Sequence, residues 1–359
     1  MTQAVALAQQ ASTGVSQALK NRIINGAMVI DQRNAGASIT ANDDTYALDR
    51  FKTAASQSSK LTAQQSAGSV TPPVGFSKYL GYTSSSAYSI TSTDFFTIQQ
   101  GIEGFNVADL NWGTANAKTV TLSFWVYSSL TGTFGGSLRN SSADRSYPFT
   151  YTINAANTWE YKTVTIAGDT SGTWSSTNTV GIALGFGLGV GSTLSGTAGA
   201  WAGANYRSAT GATSVVGTNG ATFYITGVQL EVGTQATSFE YRQYTTELLL
   251  CQRYLQVWGQ TTSQILGVAW SFSTTATVVA CLRPVQMRAS PTLTTSTISD
   301  WQVFSGSAGT LTPTAAVQNR TSPFSMSIEF TVASGLTAGQ AGAVFTTNAN
   351  ARIYESAEL

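Results

Sequence analysis

Apolar and polar residues alternate along most of the chain. In TVTLSFWVYSSL, Val120, Leu122, Phe124 and Val126 fall on one face and Thr119, Thr121, Ser123, Trp125 and Tyr127 on the other. That is the period-two pattern of a half-buried strand. WEYKTVTI (Trp159 to Ile166), VGIALGFGLGV (Val180 to Val190) and ATFYITGVQLEVG (Ala221 to Gly233) repeat it, divided by Asn-, Gly- and Ser-rich turns. GVAWSFS, TATVVACLR, FSMSIEFTV and ARIYESAEL carry the pattern onward, punctuated by Pro284, Pro291, Pro313 and Pro323. Short strands and turn signals without long helices between them predict antiparallel sandwiches rather than a βαβ sheet.

Three stretches depart from the alternation. Residues 1–20 place Ala4, Ala8, Ala11, Val15, Leu19 and Ile23 at helical spacing, which predicts a short N-terminal helix with a stripe of small residues. Such a stripe buries too little to hold a helix alone in water. The segment is read either as a terminal helix lying on its own domain or as a docking peptide or oligomer seam. Residues 191–220, with Trp201 and Tyr206 among Gly, Ala, Ser and Thr, read as a long irregular excursion. TTELLLCQRYLQVW predicts a helix from Glu247, capped by Thr246, with Leu248, Leu249, Leu250 and Cys251 as packing residues. The expected division is 1–20 as a docking helix, 21–244 as a larger β domain and 245–359 as a smaller one.

Composition narrows the chemistry. The chain has 18 Lys and Arg, 17 Asp and Glu, and 10% charged residues against the roughly 25% usual in soluble domains. Ser and Thr take up the difference, at 42 and 53 residues. The absence of histidine excludes Ser-His-Asp and Cys-His couples and any His-ligated metal. A net charge of +1 offers no field for nucleic acid or anionic lipid. Cys251 and Cys281 lie in apolar runs and read as two buried thiols, with a disulfide as the alternative. The start, MTQAVALAQQ, lacks a signal-peptide pattern, and no run of about 18 apolar residues predicts a membrane span.

Catalysis on a glycan needs two carboxyls about 5–10 Å apart, and no spacing among the acids singles out such a pair. GFGLGVGS lacks the Lys-Ser/Thr ending of a phosphate loop, so its glycines read as strand adjustments beneath bulky neighbours. Cys251 has only Arg253 near it in sequence to activate a thiol, and reads as packing. Sugar binding asks only for a ring to stack on and polar partners beside it. Four segments qualify: NWG (Trp112), RNSSADRSY (Arg139 to Tyr147), SGTW (Trp174) and AWAGANYR (Trp201 to Arg207). Trp125 and Trp159 read as structural. Trp201, Asn205, Tyr206 and Arg207 form the preferred glycan-binding set, because their Gly/Ala surroundings suggest an exposed loop.

Several tracts together carry a family likeness. NRIINGAMVIDQRNAG, YALDRF, TVTLSFWVYSS, NTWEYKTVTI and above all ATFYITGVQLEVGTQATSFEYRQYTTELLLCQRY resemble the carbohydrate-binding-module-like jelly roll of bacteriophage tail fibres and other receptor-binding virion proteins. The likeness covers about residues 21–258. MRASPT and the ending IYESAEL are similar to the second β domain that often follows. It implies an all-β chain: a jelly-roll β-sandwich, then a smaller β-sandwich. It implies a homotrimer located in the virion that docks to other virion proteins through its N-terminal segment and binds host surface glycan. No enzymatic activity, cofactor, nucleic acid or membrane insertion is expected. Relatives often hold calcium after the Asn-Gly of the first strand, but Ala27 and Met28 follow Asn25-Gly26 here and offer no side-chain oxygen. Asp43 and Asp44 are the remaining place for a cation, or a solvated turn. The alternative functions are a head-decoration or tail-adaptor protein that binds only virion components, and a capsule depolymerase.

Overall fold

A computed structural model describes residues 19–306 and 308–359; the expected helix over residues 1–20 lies almost wholly outside them. The chain is all-β and divides into two compact units, the first ending at Glu247 and the second spanning Leu248–Glu358, with Leu359 grouped with the first.

The first unit is a jelly-roll β-sandwich of two six-stranded antiparallel sheets. One runs β1 (Ile39–Thr40), β4 (Leu61–Gln65), β5 (Leu80–Ser84), β14 (Thr222–Val232), β7 (Val120–Ser128) and β10 (Glu160–Ile166). The other runs β2 (Tyr46–Leu48), β3 (Phe51–Ala55), β6 (Phe95–Glu103), β11 (Val180–Val190), β8 (Gly132–Arg139) and β9 (Ser146–Ile153). The alternation read from β7 is realised: Val120, Leu122, Phe124 and Val126 are all fully buried between the sheets. Ile182, Leu184, Phe186 and Leu188 of β11 meet them from the opposite sheet. Each such side chain contributes about 1.5–3 kcal/mol by leaving water. In β14 the alternation breaks, with Phe223 and Ile225 inward and then Val228 and Leu230. A bulge between Thr226 and Gln229 resets the face, and Gly227 takes a φ of 63° there with Phe76 and Trp125 rings against it.

The excursion after β11 carries a 3-10 turn at Ser192–Leu194, a short parallel pair of β12 (Ser195–Gly196) with β13 (Ser208–Ala209), and a bridge from Ala202 to Ser146. It lies on the outer face of the second sheet. A Cβ on Gly187 would meet Ser208 Oγ at 2.8 Å and the Gly135 carbonyl at 3.0 Å. A Cβ on Gly189 would meet Val216 at 2.6 Å. Gly187 and Gly189 of GFGLGVGS thus make room for this returning segment.

The tract carrying the family likeness forms a clamp within the first unit. Arg242 donates to the carbonyls of Asn21 and Ile23 and pairs with Glu240 and Glu247. Glu247 accepts the backbone N–H of Asn25, and Glu240 that of Asn21 at 2.6 Å. Asn21 and Asn25, 4% and 0% exposed, are locked beside β14 and β2 as a result. The helix α1 covers Tyr244–Gln252 and so starts three residues before the position expected from Thr246. The Glu247 N–H already bonds back to the Gln243 carbonyl, which places Thr246 inside the first turn rather than at its cap.

The second unit is a smaller β-sandwich. Its three-stranded sheet runs β15 (Leu255–Gly259), β24 (Arg352–Ser356) and β18 (Thr292–Thr295). Its seven-stranded sheet runs β20 (Gly309–Leu311), β19 (Trp301–Ser305), β23 (Ala341–Thr346), β16 (Ile265–Ser271), β17 (Ala276–Leu282), β22 (Ser325–Val332) and β21 (Pro313–Thr321). Trp301, Val279, Ile328, Phe330, Val344 and Ile353 form the centre of its core. Arg283 and Glu355 form an ion pair fully out of solvent, and Trp258 donates to the same carboxylate at 2.9 Å. Cys251 and Cys281 are both buried and are not joined in a disulfide.

Candidate functional site

The four sequence segments chosen separately for sugar binding converge at one edge of the first unit. Trp112 follows a turn in which Asn111 has a φ of 52°. Its ring centroid lies 4.8 Å from Trp174 and 5.3 Å from Trp201. Trp174 and Trp201 are 5.4 Å apart, and Tyr147 is 5.2 Å from Trp201. Every pair meets edge to face, the arrangement favoured by the ring quadrupoles. Each indole N–H is committed to a backbone carbonyl: Trp112 to Lys118 and Trp201 to Ala167, both at 2.8 Å, and Trp174 to Ser171 at 3.2 Å. The rings are therefore fixed in orientation, with their faces left for packing.

An ion pair organises the loops that carry them. Arg145 donates Nε and Nη2 to the two oxygens of Asp169 at 2.7 and 2.6 Å. Asp169 is 1% exposed. Its backbone carbonyl accepts from Gly113, next to Trp112, and its side chain from the N–H of Ser171, just before Trp174. The guanidinium partner lies two residues from Tyr147. Asn140 completes the frame: it accepts from the N–H groups of Asp144 and Arg145 and donates to the Thr173 carbonyl. Gly113, at a φ of 85°, must be glycine, because a Cβ would lie 2.6 Å from the Gly172 carbonyl.

Beside the Trp112–Trp174 pair opens a cavity of about 200 Å³. Its floor is Val107, Leu110 and Ile182, one wall is the two indoles, and the rim carries Asn111, Thr114, Ser175 and Ser176. It thus combines aromatic rings with an amide and three hydroxyls. No acid or base lines it.

The preferred set from sequence divides between this edge and the sheet face. Trp201 is half-buried, not a free loop ring: it packs on the core and backs Trp112 and Trp174. Its Gly/Ala surroundings hid a partner set that comes from distant loops. Tyr206 lies against Gly196, where a Cβ would come within 2.2 Å of the ring. Asn205 accepts from Arg139 Nη1 at 2.8 Å. Arg207 lies over the ring of Phe95 at 3.9 Å. With the Gln99 amide oxygen turned toward them, Arg139 and Arg207 both donate to it, at 2.8 and 3.1 Å. Burial, and then the neighbouring Arg207 charge, pull Arg139 down to about 9. Asn205 and Arg207 thereby pin the excursion onto β8 and β6, Tyr206 packs within the excursion, and none of the three lines the cavity.

The residues missed at the rim are Thr114, Ser175 and Ser176, whereas Asn111 belongs to the NWG segment. Their only signal was adjacency to Trp112 and Trp174. Among the described residues no cluster of three His, Cys, Asp or Glu could hold a metal. Asp43 accepts from the Ala55 N–H and Asp44 pairs with Lys52 at 2.7 Å, so the two carboxylates tie the turn before β2 to β3.

No protein-family model matches the chain, and no curated protein matches it. Among solved structures, the chain is similar to the enzymatically active domain of tailspike protein 4 of bacteriophage CBA120, at 13% identity and a TM-score of 0.34 over 60% of this chain. It spans only 22% of that chain's length. A putative sugar binding protein from Bacteroides thetaiotaomicron matches at 12% identity and a TM-score of 0.32, over 59% of this chain and 100% of that one. A family 11 carbohydrate-binding module from Clostridium thermocellum, in complex with a mixed-linked tetrasaccharide, matches at 11% identity and a TM-score of 0.28 over 56% and 98%.

Proposed function

We propose that the first unit is a saccharide-binding module whose site is the Trp112–Trp174 cavity. The observation that carries this is the pairing of two fixed indoles with Asn111, Thr114, Ser175 and Ser176 around about 200 Å³ of space. That volume is below the ~300–1,000 Å³ of sites for drug-sized ligands, and suits one sugar residue rather than a long chain. The role is binding rather than catalysis. Asp169, the buried acid that braces the Trp112 and Trp174 loops, has both oxygens taken by Arg145, and no carboxylate lines the cavity. At the level of the whole chain, the tracts quoted above and the low-charge Ser/Thr-rich composition support a bacteriophage virion protein. It attaches the particle to host surface glycan as a homotrimer, where several weak sites act together.

The test is a glycan array on the purified chain, followed by calorimetry on any ligand found. Trp174→Ala is expected to weaken binding about thirtyfold, the usual effect of removing a hot-spot aromatic, with the thermal transition nearly in place. Trp201→Ala is expected to lower the melting temperature, because that ring supports the other two. Full affinity in a folded Trp174→Ala protein removes the cavity from consideration. Release of new reducing ends from a bound glycan would overturn the non-enzymatic reading.

A further inference from the structure

The seven-stranded sheet of the second unit buries one face and leaves the other open. Four adjacent strands, β19, β23, β16 and β17, contain no charged residue. The open face of an antiparallel sheet ordinarily alternates polar residues outward. Here Val268 and Trp270 of β16 are 76% and 56% exposed and Phe304 of β19 is 46% exposed. The register makes these neighbours: Phe304 and Val268 both sit opposite Ala343, and Trp270 sits opposite Ala341 and Val278. Phe272 continues the row, its ring 6.1 Å from Trp270. The result is an aromatic ridge flanked by alanines. Toward the other edge of the same face, a groove of about 440 Å³ opens between β17, β22 and β21, lined by Ala280, Leu282, Ser325, Ser327 and Arg320.

From β19 to β21 the face spans five strand spacings, about 24 Å, and Ile265 to Phe272 adds about 23 Å along the strand. That projects to on the order of 500 Å² before side-chain relief is counted, comparable with the ~800 Å² each partner gives to a standard interface. A ridge without charge beside a groove that carries Arg320, on one face, suits a second copy of the chain. A partner of different sequence would be oriented by charge, and the ridge offers none, whereas the most apolar interfaces are those between identical subunits. A ridge and a groove on one face seat reciprocally between two copies about a two-fold axis, or head to tail around a ring where the rotation closes.

We infer that this face is the contact between copies of the chain, the Trp270 ridge of one seating in the Leu282–Ser327 groove of the next. It rests on, and gives a surface to, the oligomer proposed above. Light scattering on the full chain at tens of micromolar is expected to give one defined oligomer. Trp270→Glu is expected to raise the assembly midpoint at least about thirtyfold, leaving circular dichroism unchanged. Ser327→Arg, in the groove, should do the same, while Val74→Glu, a fully exposed position in the first unit, should change nothing. Chains with Trp270→Cys should cross-link to chains with Ser327→Cys under mild oxidation, and not to one another. A monomeric wild type, an unchanged mass in both face variants, or self-cross-linking of Trp270→Cys would overturn the assignment. Loss of glycan binding in Trp174→Ala would not bear on it.

Discussion

Asp169 has both carboxylate oxygens on Arg145 and touches the loops of Trp112 and Trp174 through its backbone and side chain. Asp169→Ala leaves a mostly buried guanidinium unpaired and is expected to cost about 3 kcal/mol. Urea unfolding followed by tryptophan fluorescence would measure it. The conservative Asp169→Asn should recover part of the loss. Cys281 belongs to a different environment, where burial first and the Glu355 charge second push its thiol up to about 11. A folded pKa above the unfolded 9.0 means that the thiol's contribution to stability is complete below pH 9 and lost as pH rises toward 11. The urea midpoint should fall over that window, and Cys281→Ala should remove this part of the slope. With Cys251 also buried, neither thiol should react with an aromatic disulfide reagent at pH 8 until the chain is unfolded.

At the scale of the element, β11 shows what periodicity can and cannot convey. Its inward Ile182, Leu184, Phe186 and Leu188 were legible because burial imposes period two. Its glycines pointed to crowding above the strand, but not to what crowds it. The neighbour is the excursion that returns through Ser208, Ser214 and Val216. Gly187→Val should therefore cost about 1–3 kcal/mol by overpacking, and should loosen the excursion before the sandwich. Hydrogen exchange at Arg207, whose N–H bonds the Leu194 carbonyl, would report that loosening. The bulge in β14 was illegible for a related reason. A one-residue reset keeps the composition of a strand and changes only which side chains face inward.

For the whole molecule, the two units have separate hydrophobic cores, one centred on Phe124 and Phe186 and the other on Trp301 and Phe330. Trp301, fully buried, is the largest side chain of the second core. Trp301→Ala is expected to cost about 3–5 kcal/mol there, lowering the calorimetric transition of the second unit and leaving that of the first in place. A single transition shifted as a whole would instead show that the units unfold as one. Removing residues 1–18 should leave both transitions, because the described packing of the first unit begins with Asn21 and Ile23. A large loss of stability on that truncation would place those residues in the core.

The sequence by itself determined the class of the fold. Alternation, turn chemistry and the scarcity of helical periodicity are local properties, and each was imposed on neighbouring residues by a sheet with one wet and one dry side. It also marked Trp112, Tyr147, Trp174 and Trp201 as rings without an obvious strand to serve. Only the tertiary structure decided that these four meet, that Trp201 supports rather than presents, and that the cavity opens between Trp112 and Trp174. Those outcomes rest on contacts such as Arg145 with Asp169, 24 positions apart, and Arg139 with Asn205, 66 apart. No periodicity encodes such pairs. They follow from how the sheets close, since closure alone brings the ends of distant strands to one edge.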